Sequence, residues 1–169
     1  MNKRGQAAME FLMTYGWAIV VVLAAIGALA YFGVLSPQKL LPDRTTFTAP
    51  IPSVDNAVVT LSTNSVQIAF KNNKGVDITL PMTATGTGNC NGVPTVTGTY
   101  TDVAGAQQPI VANTTQIQNG VGFLLTFVCP GAASGQVGSK FKADISFPYI
   151  NHETGQTLTQ TGSVEGKYS

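Results

Sequence analysis

No charged side chain occurs between Glu10 and Lys39. Phe11 to Leu35 reads FLMTYGWAIVVVLAAIGALAYFGVL, apolar at nearly every position and with no face kept for polar groups. As a helix this stretch would span roughly 37 Å, enough to cross a bilayer core with some tilt. An apolar perimeter must be covered on every side, by lipid or by a bundle of like helices. Tyr15 and Trp17 near one end, and Tyr31 and Phe32 near the other, stand where interfacial aromatics sit. Lys3 and Arg4 precede the run, and the next basic residue is Lys39. The positive-inside rule therefore expects a cytoplasmic N-terminus and export of everything after about Ser36.

Beyond the run the pattern changes twice. Ser36 to Asp55 carries Pro37, Pro42, Pro50 and Pro52, and reads as an extended, semi-stiff linker with a helix stop at Pro37. From residue 56 on, short runs of Val, Ile, Thr and Phe are split by Gly, Asn and Pro. The expected strands are Ala57–Leu61, Val66–Lys71, Val76–Thr83, Val96–Thr101, Ile110–Ile117, Gly122–Cys129, Lys140–Pro148 and Gln156–Glu165. Val66, Ile68 and Phe70 alternate towards one face, as do Phe141, Ala143, Ile145 and Phe147. Asn72-Asn73-Lys74-Gly75 is a turn signal, so Val66–Thr83 reads as a hairpin; Ile150–Gly155 would join the last two strands. About eight short strands without a helical run give an antiparallel, Ig-like β-sandwich, with a barrel as the alternative. The fold class is α+β, a long apolar helix followed by that sandwich.

Composition narrows the function. Only 10% of residues are charged, against 44% hydrophobic, and nine Lys+Arg nearly balance eight Asp+Glu. Such a chain is no basic nucleic-acid binder. A single histidine, His152, beside Glu153 in a polar turn, leaves little for metal or triad chemistry. Gly86-x-Gly88 and Gly120-x-Gly122 lack the strand–helix context of a phosphate loop. Asp55, Asp77, Asp102, Asp144, Glu153 and Glu165 are scattered without pairing. No cofactor and no enzymatic activity are expected. Cys90 and Cys129, in a domain placed outside the membrane, most simply form one disulfide; a metal site or two free thiols are the alternatives. Asn113-Thr114-Thr115 is an N-x-[ST] sequon and a candidate glycan acceptor.

A secretory signal peptide also starts basic and turns apolar, but its core is only about 7–15 residues long and ends at a small-residue cleavage site. Ala28-Leu29-Ala30 has the small-x-small form yet sits inside the run. Glu10, joined directly to the apolar stretch, is costly there and calls for a partner or a function. Lys3-Arg4-Gly5, then Gln6-Ala7-Ala8-Met9-Glu10-Phe11 and the apolar helix, resembles the class III signal peptide of archaeal type IV pilins. Gln6, Glu10 and Phe11 match that family's Q-x-S-x-E-F form, with Ala8 where serine is usual. The resemblance covers about the first 35 residues.

That resemblance implies cleavage at Gly5–Gln6 by a prepilin peptidase, with Lys3, Arg4 and Gly5 read by the enzyme. Residues 1–5 are then a cleaved leader and 6–35 a transmembrane helix that becomes a filament core. Residues 36–55 form the linker and 56–169 the exported domain. Glu10 and Phe11 are the assembly residues; in such pilins the equivalent carboxylate is proposed to meet a neighbour's new N-terminal amine. The implied partners are the membrane before assembly, copies of the same chain in a helical homopolymer, a pilus assembly ATPase and a membrane platform protein. The expected function is an extracellular filament for surface or cell adhesion. Two rivals stand beside it: an archaellin or pseudopilin of a related system, and an uncleaved single-pass anchor displaying a ligand-binding β-domain.

Overall fold

The computed structural model describes residues 3–32, 42–130 and 135–169. The chain divides into two compact units, residues 1–41 and 42–169. Among the described residues the first contains one helix, α1 (Lys3–Tyr31), closed by the bond from Phe32 N–H to the Ala28 carbonyl at 3.0 Å. It starts at Lys3, so the Gly5–Gln6 peptide lies within its first turns rather than ahead of it. Lys, Arg, Gln and Ala are strong helix formers, and together they outweigh the cost of one glycine.

The second unit is an antiparallel β-sandwich. Its strands are β1 (Arg44–Phe47), β2 (Val58–Thr60), β3 (Ser65–Lys71), β4 (Ile78–Thr79), β5 (Thr85–Gly86), β6 (Thr95–Thr101), β7 (Gln107–Pro109), β8 (Gln116–Ile117), β9 (Gly122–Val128), β10 (Lys140–Asn151) and β11 (Thr157–Lys167). One sheet runs β1-β11-β10-β4-β8, with β5 also on β10; the other runs β2-β3-β9-β6-β7. Strands β10 and β11 form the long hairpin, in register from Lys140↔Lys167 to Ile150↔Thr157. The chain end ties the sheets together: the Ser169 N–H donates to the Val59 carbonyl of β2 at 2.9 Å.

The alternation read in the sequence sets the core. Val66, Ile68 and Phe70 are fully buried on β3, and Phe141, Ala143, Ile145 and Phe147 face them from β10. Phe70 lies at the centre, 4.9 Å from the Phe47 ring, 5.1 Å from Phe147 and 5.6 Å from Phe123. Each buried ring contributes about 1.5–3 kcal/mol by leaving water, with about 0.5–1.5 kcal/mol more per well-oriented pair.

Three sequence expectations are corrected. Val66–Thr83 is not a hairpin: β3 pairs with β2 and β9, whereas β4 crosses to the other sheet and pairs with β10 and β8. The turn exists, but Asn72 sends the chain across the sandwich: its Nδ2 donates to the Val76 and Ile117 carbonyls at 2.9 and 3.0 Å. The strand expected over Val76–Thr83 shrinks to Ile78–Thr79, because Pro81 has no N–H to offer and Met82 turns to φ 57°. Ile110–Ile117 is likewise interrupted: Ala112–Thr114 turn outward, and the Thr115 hydroxyl accepts the Val111 N–H at 2.8 Å instead of leaving it to a ladder.

The expected linker 36–55 is divided. Its first part, up to residue 41, and the helix continuation over 33–35 lie outside the described residues. Arg44–Phe47 is a strand of the sandwich, paired with β11 from Arg44↔Glu165 to Phe47↔Gly162. Prolines 50 and 52 flank Ile51, which is fully buried, so this Pro-rich segment lines the core.

Candidate functional site

The apolar helix is the first candidate. Met13–Tyr31 has a mean hydropathy of 2.0 and none of it is buried. At 1.5 Å per residue its 19 residues span about 29 Å, the thickness of a bilayer core. Phe11, Trp17 and Leu23 all stand more than half exposed, and they project around the whole helix. These are the length and composition of a membrane anchor or a signal sequence. Glu10 stands at the edge of this span with an exposed side chain, and its carbonyl accepts the Thr14 hydroxyl at 2.8 Å. One turn on from Phe11, the Tyr15 ring packs against it with centroids 4.7 Å apart. Lys3, Arg4, Gly5 and Gln6 lie on the helix backbone; their side chains lie outside the described residues.

Cys90 and Cys129 form the disulfide, with Cα atoms 4.7 Å apart. Cys90 ends a 3₁₀ turn, Gly88–Cys90, and Cys129 follows β9. The turn is anchored to β10: the Thr87 N–H donates to the Asp144 carbonyl at 2.9 Å, and the Lys142 N–H to Asn89 Oδ1 at 2.9 Å. The bond thus joins one sheet to the other, rather than only a loop to its own sheet. Gly88 has φ +68° and a Cβ there would sit 2.5 Å from the Lys142 carbonyl oxygen, so the approach requires glycine.

Asn113 occupies the exposed turn between β7 and β8, at φ 57°, with its N–H donated to the Leu80 carbonyl at 3.0 Å. The sequon is therefore presented outward on a fixed backbone. His152 is exposed; its Nε2 shares a hydrogen bond with Gln116 Nε2 at 3.1 Å and its N–H donates to the Asp77 carbonyl.

Electrostatics concentrate on the outer face of the six-stranded sheet. Glu165 lies between Arg44 on β1 and Lys142 on β10, and its carboxylate meets Lys142 Nζ at 2.9 Å and Lys140 Nζ at 3.7 Å. The Lys142 hydrogen bond, with the Lys140 and Lys142 charges, holds the Glu165 carboxyl below its ordinary value. Among the described residues no three of His, Cys, Asp and Glu gather into a metal-holding group. Sequence reasoning missed two buried amides that fix the loops, Asn72 and Gln160; Gln160 Nε2 donates to the Thr48 carbonyl at 2.8 Å. Asn72 was read only as the start of a turn, with nothing to mark its burial, and Gln160 stands in no motif.

Comparison with protein-family models and with curated protein sequences finds no match to this chain.

Proposed function

We propose that the protein is a filament subunit of the archaeal type IV pilin kind, cut at Gly5–Gln6 and polymerised through its N-terminal helix into an adhesive extracellular fibre. The single observation that carries this is α1 itself. From Met13 to Tyr31 it is apolar on its whole circumference, and it carries Glu10 at the boundary of that span. Lipid satisfies that perimeter before assembly and neighbouring helices satisfy it afterwards. A carboxylate at the bundle edge fixes register, because in a low dielectric it is penalised until it finds a cationic partner. The disulfide-tied sandwich and its outward sequon suit an oxidising exterior.

Assembly would need a prepilin peptidase, an ATPase and a membrane platform protein, because withdrawing such a helix from lipid requires work. One observation favours a second reading, an uncut anchor that displays the sandwich: the helix runs without a break from Lys3 to Tyr31, through the Gly5–Gln6 peptide. Filaments sheared from cells with the assembly machinery separate the two. The wild-type chain is expected in the sheared fraction, and Glu10→Ala is expected to be cut but left in the membrane. A wild-type chain found only in membranes would contradict the filament reading.

A further inference from the structure

At the end of the sandwich opposite Arg44, the sheets part around a cleft of about 210 Å³. Its floor is apolar: Tyr100 of β6 and Val121 are half-buried and packed on the core. Its rim comes from both sheets, with Thr101 and Asp102 at the end of β6, Gln116 on β8, and Gln118 just beyond. The rim is held in place. Asp102 Oδ1 accepts the N–H groups of Ala104 and Ala106, both at 2.9 Å, and its Oδ2 accepts Gln108 Nε2 at 3.2 Å. Gln116 is steadied by His152. Gln118 is exposed, and its side-chain amide hydrogen-bonds to no other described residue, so it is open to a ligand.

We propose that this cleft binds one unit of an uncharged, hydroxyl-rich saccharide. The C–H face of a sugar ring would lie on Tyr100 and Val121, while its hydroxyls exchange hydrogen bonds with Gln118, Gln116 and the free capacity of Asp102. An apolar floor with a few convergent polar groups is the usual form of a small-ligand site. Hydroxyls both donate and accept, as these amides and this carboxylate require. Among the described residues, Asp102 is the one charged residue lining the cleft, and it repels phosphorylated or acidic sugars. A single sugar unit and a rim of this size suit weak binding that repetition along a surface would strengthen. The inference deepens the adhesive part of the reading above and rests on it only in placing the domain outside the cell.

The test is saturation-transfer NMR on the full, unassembled chain in phosphocholine micelles, with D-glucose, D-galactose, D-mannose and N-acetyl-D-glucosamine as probes. Transfer to at least one sugar is expected, reduced at least fivefold by Gln118→Ala and by Gln116→Ala, and unchanged by Thr159→Ala on β11. An unchanged thermal midpoint and an intact disulfide show that each variant is folded. No transfer to any of the four sugars, or transfer that survives both cleft substitutions, would overturn the proposal. Because polymerisation plays no part in this readout, loss of the sugar signal and failure to form filaments are separate results.

Discussion

The ring of Phe47 fills the space where a side chain on Gly162, its register partner across β1 and β11, would begin. That contact is how β1, the strand by which the chain enters the sandwich, docks on the sheet. A Cβ at 162 would collide with the Phe47 ring and the Thr46 carbonyl oxygen. Gly162→Ala is expected to lower stability by about 1–3 kcal/mol through overpacking. Thermal unfolding of the purified chain reads this directly, and a midpoint equal to wild type would mean that β1 is free to shift.

The disulfide predicts a second loss. It closes a loop of 39 positions between Cys90 and Cys129. Replacing both cysteines by alanine is expected to cost about 3–4 kcal/mol, because the unfolded chain regains the freedom of that loop. Denaturant unfolding under oxidising conditions measures it. An unchanged midpoint would show that the anchoring of the 3₁₀ turn on β10 suffices.

Acid is expected to loosen the domain through Glu165 and Asp102. Hydrogen bonds to Lys142 and to the Ala106 N–H, respectively the largest causes, hold the two carboxyls below their ordinary values. A carboxyl lowered in the folded state adds stability above its unfolded pKa, about 4, and loses it as pH falls through the folded value. Both groups are open to solvent, so the effect is modest and screened by salt. A thermal midpoint that falls below about pH 4, with a shallower fall in Glu165→Gln, is the expected pattern. Identical profiles for the two proteins would remove Glu165 from this role.

Asn72 supplies a fourth prediction. It is fully buried, donates to Val76 and Ile117, and its Oδ1 accepts the Lys74 N–H at 3.0 Å. Asn72→Ala leaves these backbone groups unpaired and is expected to cost about 2–4 kcal/mol. Hydrogen exchange should quicken first in the loop from Asn73 to Asp77. Exchange that stays slow there would mean that other bonds hold the crossing.

What the sequence discloses and what it conceals divide along physical lines. The helix was legible because an unbroken apolar run of that length is too long for a strand and no cluster of turn residues divides it. Strands β3 and β10 were legible because alternation continues for five residues or more, as in Val66, Ile68 and Phe70, and β6, β9 and β11 because Val-, Phe- and Thr-rich runs are bounded by Gly, Asn and Pro. The short strands were not. Ile78 and Thr79 are both buried, so β4 shows no alternation, and its partners lie far along the chain. The Asn72–Gly75 turn signal says that the chain reverses, not which strand it meets next. Strand β1 was hidden by the prolines around it, which read as linker although Ile51, between Pro50 and Pro52, reaches the core. The cysteine pair was legible from composition and compartment. The cleft at Tyr100 was not, since its rim is assembled from residues of both sheets that stand in no motif.

The N-terminus of the membrane-associated protein, determined by mass spectrometry with and without a prepilin peptidase, tests the central proposal most directly. The expected result is a chain beginning at Gln6 when the peptidase is present, and at Met1 when it is absent or when Gly5 is replaced by valine. A chain that keeps Met1 beside an active peptidase would contradict the filament reading and leave an anchored β-sandwich.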